Sequence, residues 1–193
     1  MLAAAVAAVV LAGCGGGGAK DQARTPPRVG FTGTGTGAGA EARPVDIGGR
    51  SLFVDCEGTG SPTVVLEAGF GGSSSTWVDV MPALRRITRT CAYDRAGLGS
   101  SLAMPGVHDA SAEIADLGRL LDRGRIAPPY VLVGHSYGGL LVRLFARAHP
   151  GETAGLVLVD AMGRNQTRRQ LARWPRTAAP AARRDWAQPW STG

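Results

Sequence analysis

The sequence predicts an α/β fold: a mostly parallel sheet flanked by helices. Short apolar runs at Thr63–Glu67, Thr90–Tyr93, Tyr130–Val133 and Gly155–Asp160 alternate with stretches of helical periodicity, the order that yields parallel strands joined by crossover helices. The run Tyr130 to Gly139 passes from a β-rich apolar segment through a small-residue turn into an amphipathic segment, which reads as buried strand, sharp turn and helix. Clusters such as Glu57-Gly58-Thr59-Gly60-Ser61-Pro62 and the pair Pro150-Gly151 fall between these segments, where chain reversals belong.

The elements follow in order from Pro44. Ser51–Val54 and Thr63–Glu67 are strands separated by the Gly/Pro turn. Trp77–Leu84 is expected to be helical, with Trp77, Val80 and Leu84 turned inward. Thr90–Tyr93 is the next strand. Ala110–Asp122 has an apolar face of Ile114, Leu117, Leu120 and Leu121, with Asp109 or Ser111 as its cap. Tyr130–Val133 starts after Pro128-Pro129, and the helix behind it places Leu140, Leu141, Leu144, Phe145 and Ala148 at helical spacing before Pro150 stops it. A last strand spans Gly155–Asp160, and no internal repeat is evident.

The N-terminal part does not belong to this domain. Met1 to Gly13 is Ala- and Val-rich, too short to span a bilayer as a mature helix, and ends Leu11-Ala12-Gly13-Cys14. It reads as the apolar region and cleavage site of an export signal, and its end resembles a bacterial lipobox that would leave Cys14 as the lipid-bearing residue. No Lys or Arg precedes the run, which implies a start further upstream. The domain plan is therefore 1–14 signal with lipobox, 15–43 Gly-rich flexible linker, 44–165 folded core and 166–193 the start of a cap or a disordered tail. The expected location is outside the cytoplasm, on the cell membrane through the lipid or secreted.

The formal charge of +6 does not make this a nucleic-acid-binding chain. Arg164, Arg168, Arg169, Arg173, Arg176, Arg183 and Arg184 gather after Met162 with no nucleic-acid-binding motif among them, so they read as a solvated cationic surface. No metal and no organic cofactor is expected.

The chemistry centres on Gly134-His135-Ser136-Tyr137-Gly138. Ser136 stands at the tip of a strand-to-helix turn, and glycines two positions either side let the backbone reverse without a Cβ clash. Such a turn lifts the hydroxyl above the sheet, and the helix that follows adds a backbone N–H and a positive dipole end. Two further segments matter: Val64-Val65-Leu66-Glu67-Ala68-Gly69-Phe70-Gly71-Gly72 and Tyr93-Asp94-Arg95-Ala96-Gly97-Leu98-Gly99-Ser100.

Together, in this order, the three segments resemble the α/β-hydrolase fold family over roughly residues 45–162. The resemblance is nearest to serine-dependent, esterase-like members. It implies Ser136 as the nucleophile, and an oxyanion hole formed by the backbone N–H groups of Phe70 and Tyr137, with Gly134 and Gly138 shaping the elbow. Ala68 stands where many relatives carry His. Asp94 and Arg95 are expected to hold their loop through hydrogen bonds and an ion pair. The fold makes the strand that Cys56 follows, Ser51–Val54, a neighbour of the strand that bears Cys91, which implies a disulfide worth on the order of 3 kcal/mol; two buried free thiols are the alternative.

A serine hydroxyl needs a general base, and in this fold the partners follow in the order Ser, acid, His. Only His149 follows Ser136, with no Asp or Glu between them, and it lies roughly 16 Å along the helix from Gly138. His135 and His108 are assigned structural roles. Asp160, ending an apolar strand, is a weak candidate for the acid. The family's last two strands and its histidine are not apparent, so the chain is expected to be truncated after its sixth strand. The implied activity is hydrolysis of small-molecule carboxylic esters through an acyl-serine. A small-substrate peptidase and a cofactor-free haloperoxidase are alternative enzymes, and a non-catalytic remnant or binding module is the alternative of another class. Serine at the elbow disfavours an aspartate-nucleophile dehalogenase or epoxide hydrolase.

Overall fold

The structure, a computed structural model, describes residues 40–103 and 109–163. Within them six strands form one sheet in the order β1-β2-β4-β3-β5-β6: β1 Glu41–Asp46, β2 Ser51–Glu57, β3 Thr63–Glu67, β4 Thr90–Tyr93, β5 Tyr130–His135 and β6 Thr153–Val159. From β4 to β6 all neighbours are parallel, whereas β1 and β2 add an antiparallel edge. The mostly parallel sheet with helices is the architecture read from the sequence.

β1 lies partly within the stretch assigned to the linker, since Glu41, Ala42 and Arg43 pair with Cys56, Asp55 and Val54. Its polar residues hid it: only Val45 is buried, as suits an edge strand. Gly48 and Gly49 turn the β1–β2 hairpin with φ of 94° and 82°, the two positive dihedrals that a tight hairpin of right-handed twist needs. β2 continues to Glu57, so Cys56 sits inside the strand rather than after it.

β3 is buried throughout, as the central strand of a sheet covered on both faces must be. Val65 points to one side and joins Leu117, Leu120, Leu132, Val142 and Phe145 under α2, Ala110–Arg123, and α3, Tyr137–Ala148. Val64 and Leu66 point to the other and join Trp77, Met81 and Val131, the alternation expected of a strand. Asp109 caps α2 by accepting from the Ala112 N–H at 2.8 Å, worth about 1 kcal/mol. The helix expected over residues 77–84 is instead a 3-10 turn at Ser74–Trp77 followed by the single turn α1, Met81–Leu84. Pro82 is tolerated only in a first helical turn, so the α-helix begins beside it. Trp77 is buried as expected, but Val80 is exposed. Along β6, Leu156 to Val159 are each about two fifths exposed.

Cys56 lies opposite Cys91 in the antiparallel β2–β4 register, and the two form a disulfide. The bond closes a loop of 35 residues, for which chain entropy gives about 3–4 kcal/mol. Denaturant unfolding with and without a thiol reductant is expected to show that loss, with a lower midpoint in the reduced chain.

Candidate active site

Ser136 occupies the junction of β5 and α3 with φ of 51° and ψ of −116°. That left-handed dihedral is costly for a residue with a Cβ, and the surroundings fix it. The Ser136 N–H donates to Val159 O at 3.0 Å, and Ser136 O accepts from the N–H groups of Gly139 and Met162 at 3.0 and 2.8 Å. The side chain makes no capping bond to α3 although it stands at the cap.

Gly134 and Gly138 are required by close approach. A Cβ on Gly134 would fall 2.5 Å from Gly138 O, and one on Gly138 would fall 2.6 Å from Ala68 O. Both obstacles are backbone. Gly138→Ala is therefore expected to push β3 and α3 apart, destabilising the chain by about 3 kcal/mol, at the upper end of overpacking costs; urea unfolding measures it.

The loop from Ala68 to Gly72 lies beside the serine. A Cβ placed on Gly69 would stand 3.4 Å from Ser136 Cβ and 3.0 Å from His135 Nδ1. The Phe70 ring is exposed and meets the Tyr137 ring edge-on, with centroids 6.0 Å apart. Tyr137 opens α3, so its N–H stands at the positive end of the helix dipole.

Behind the loop lies a buried charged cluster that the sequence reading found only in part. Asp94 holds its own loop, accepting from Ser74 N at 2.6 Å and Ser100 N at 2.7 Å. Arg95 forms an ion pair, as expected, but its partner is Glu67, which the sequence did not point to, and both side chains are almost inaccessible. The same guanidinium donates to Ala68 O at 2.7 Å and Gly69 O at 2.6 Å. Tyr93 donates its hydroxyl to the other Glu67 oxygen. Burial pushes the Glu67 carboxyl up to about 7, against the pull of Arg95 and Tyr93. Tyr137 Oη donates to Glu113 at 2.7 Å, and burial, with that bond, holds its phenol well above the ordinary range. Glu67 and Glu113 were missed as site residues. The available signal was a glutamate closing an otherwise apolar strand, since a buried carboxylate demands partners.

Asp160 directly follows β6, whose last residue Val159 pairs with His135, so it leaves the sheet at the same end as Ser136. It is exposed, with φ of 43°. His149 ends α3 at the opposite pole, its ring stacked on Phe145 at 4.3 Å and its Nδ1 3.6 Å from Glu152. His135 packs against Gly69. Cys14, His108 and the segment 166–193 lie outside the described residues. Among those residues no group of His, Cys, Asp and Glu could hold a metal ion, and no helix is long and apolar enough to cross a membrane.

Comparison with known proteins agrees with this architecture. Residues 62–185 match the family model described as alpha/beta hydrolase fold. The uncharacterized protein YqjL of Bacillus subtilis (strain 168) is 36% identical over 104 residues, covering 54% of this chain and 41% of YqjL. Among solved structures, epoxide hydrolase A from Mycobacterium thermoresistibile superposes with a TM-score of 0.57 at 31% identity, covering 62% of this chain and 39% of that one. Cfl2 from Burkholderia cenocepacia gives a TM-score of 0.59 at 29% identity, covering 68% and 49%. The chain thus spans less than half the length of these relatives. With a family match over more than half of its residues, and the strand-turn-helix elbow in place, this chain belongs to the alpha/beta hydrolase fold family.

Proposed function

We propose that Ser136 is the nucleophile of a hydrolase that cleaves small carboxylic esters through an acyl-serine intermediate. The observation that carries this is a serine held at φ of 51° between two glycines that cannot be larger, with its hydroxyl unused for capping. In this reading Ser136 Oγ bonds to the ester carbonyl carbon, and its proton passes through a general base to the departing alkoxide. The carbonyl oxygen becomes negative and receives the Phe70 and Tyr137 N–H groups, each such donor being worth about 3 kcal/mol. Water then attacks the acyl-serine, releases the acid and restores the hydroxyl. Asp160 is the candidate to orient the base, because it leaves β6 beside the elbow.

The test is covalent labelling with a fluorophosphonate, followed by peptide mapping. Modification of Ser136 that a short-chain ester protects against is the expected result. A label on another residue, with Ser136 untouched, would sink the assignment. The second reading is a binding module that keeps the fold without turnover; it is favoured by His149 lying stacked at the far end of α3. A folded, full-length chain that neither labels at Ser136 nor hydrolyses 4-nitrophenyl butyrate would establish it.

We also propose that the chain is exported and held on the membrane by lipid on Cys14. The Leu11-Ala12-Gly13-Cys14 sequence and the Cys56–Cys91 disulfide support this, since structural disulfides belong to oxidising compartments. Intact mass of the membrane-fraction protein is expected to show acyl groups on an N-terminal Cys14. An unmodified mass, or retention of Cys14→Ser on the membrane, would refute the anchor.

A further inference from the structure

We infer that Arg95 is a positioning residue for the oxyanion hole, one guanidinium setting both donors: it holds the Gly69–Phe70 peptide from behind and the Tyr137 side chain from beside. The inference rests on the serine-hydrolase reading above and adds a residue to it.

The geometry is specific. The Phe70 N–H and the Gly69 C=O belong to one peptide group, and in a trans peptide they point in opposite directions. Arg95 Nη2 donates to Gly69 O at 2.6 Å, so this bond turns the carbonyl inward and the Phe70 N–H the opposite way. A charged donor on the oxygen also polarises the amide and makes that N–H a stronger donor. Nη1 donates to Ala68 O at 2.7 Å and pairs with Glu67, fixing the preceding peptide as well. Gly69 O is held from a second side by the Gly72 N–H at 3.1 Å. The plane of the loop is thereby determined.

The other donor sits on Tyr137, and its ring lies under the same guanidinium, 5.5 Å from Cζ to the centroid. The Tyr137 hydroxyl reaches Glu113 at 2.7 Å, and Glu113 Oε1 lies 3.6 Å from Arg95 Nε. Glu113 therefore links the two at the first turn of α2. Arg95 is 5% exposed, and its two terminal nitrogens divide the two carbonyls and the carboxylate between them; a lysine ammonium donates from a single nitrogen and loses that fork. Small misplacements of such donors are expensive, since a shift of about 1 Å can cost roughly a hundredfold in rate.

The experiment compares the full-length chain with Arg95→Lys. The readouts are folding by circular dichroism, kcat and KM for 4-nitrophenyl butyrate, affinity for phenylboronic acid as a tetrahedral adduct of Ser136, and the Phe70 amide resonance. The expected result is a folded variant whose kcat falls by roughly a hundredfold with KM little changed. Boronate affinity should fall in parallel, and the Phe70 amide proton should move upfield as its peptide loses the charged donor. A folded Arg95→Lys with unchanged boronate affinity and an unmoved Phe70 amide overturns the inference while leaving Ser136 as nucleophile; these two readouts stand without turnover. A lowered melting temperature with unchanged kcat overturns it too, because that is a merely structural role. If Arg95→Lys does not fold, Glu113→Gln replaces it. Its expected result is displaced Phe70 and Tyr137 amides with weakened boronate binding, and unmoved amides would overturn the inference. A wild type that fluorophosphonate does not label at Ser136 removes the serine reading, and this inference with it.

Discussion

Ser136→Ala is expected to lower ester turnover by a factor on the order of 10⁴ to 10⁶ while leaving the unfolding free energy within about 0.5 kcal/mol of the wild type. Both halves of that expectation come from the elbow. The hydroxyl makes no capping bond, so its removal leaves α3 and β5 as they are. The backbone bonds to Val159, Gly139 and Met162 are made by the Ser136 main chain, and alanine keeps them. Alanine also carries the same Cβ in the same left-handed conformation, so the strain is common to both chains. What disappears is the atom proposed to bond to the carbonyl carbon. Parallel urea titrations and 4-nitrophenyl butyrate kinetics separate the two effects. Undiminished turnover in the alanine variant would remove Ser136 from the chemistry. A large loss of stability would show instead that the hydroxyl has a structural partner.

How much of this was legible beforehand follows from the range of each interaction. The elbow was readable because its constraints are local: the turn needs small residues at Gly134 and Gly138, and the strand and helix that confirm it adjoin it in sequence. The same holds for α2, whose Asp109 cap and Leu117, Leu120 and Leu121 stripe lie within one segment. β1 escaped because an exposed edge strand is polar, and Glu41, Arg43 and Asp46 give it no apolar alternation. The 3-10 turn before α1 escaped because the spacing of Trp77, Val80 and Leu84 satisfies a helix, while Pro82 decides where one can begin. The loop from Ala68 to Gly72 illustrates a third case. Its sequence showed glycines, but what holds it is Glu67 meeting Arg95 across 28 positions and Arg95 meeting Glu113 on α2. No local pattern announces a pairing of that range.

Above about pH 7, where the Glu67 carboxyl is ionised, Glu67→Ala is expected to cost about 3–5 kcal/mol of folding stability, because it leaves the buried Arg95 guanidinium with only Glu113, 3.6 Å from its Nε, as counter-charge. Glu67 is 1% exposed and Arg95 5%, so water cannot replace the lost carboxylate, and Tyr93 loses the acceptor for its hydroxyl at the same time. The wild-type carboxyl is itself held under tension. Burial raises it from the ordinary 4.5 to about 7, so between those values the folded chain binds a proton that the unfolded chain has released. The stability this contributes is full below about 4.5 and is lost as the pH rises through about 7. Urea unfolding across that window should show a decline for the wild type and none from this position in Glu67→Gln, where nothing titrates. Identical profiles for the two would mean that Glu67 does not titrate in this range, and a small effect of Glu67→Ala would mean that water reaches Arg95. Because Ala68 and Gly69 hang from the same guanidinium, a loss of order here must also reach the loop beside Ser136. Glu67→Ala should therefore slow fluorophosphonate labelling under conditions where the chain is still folded.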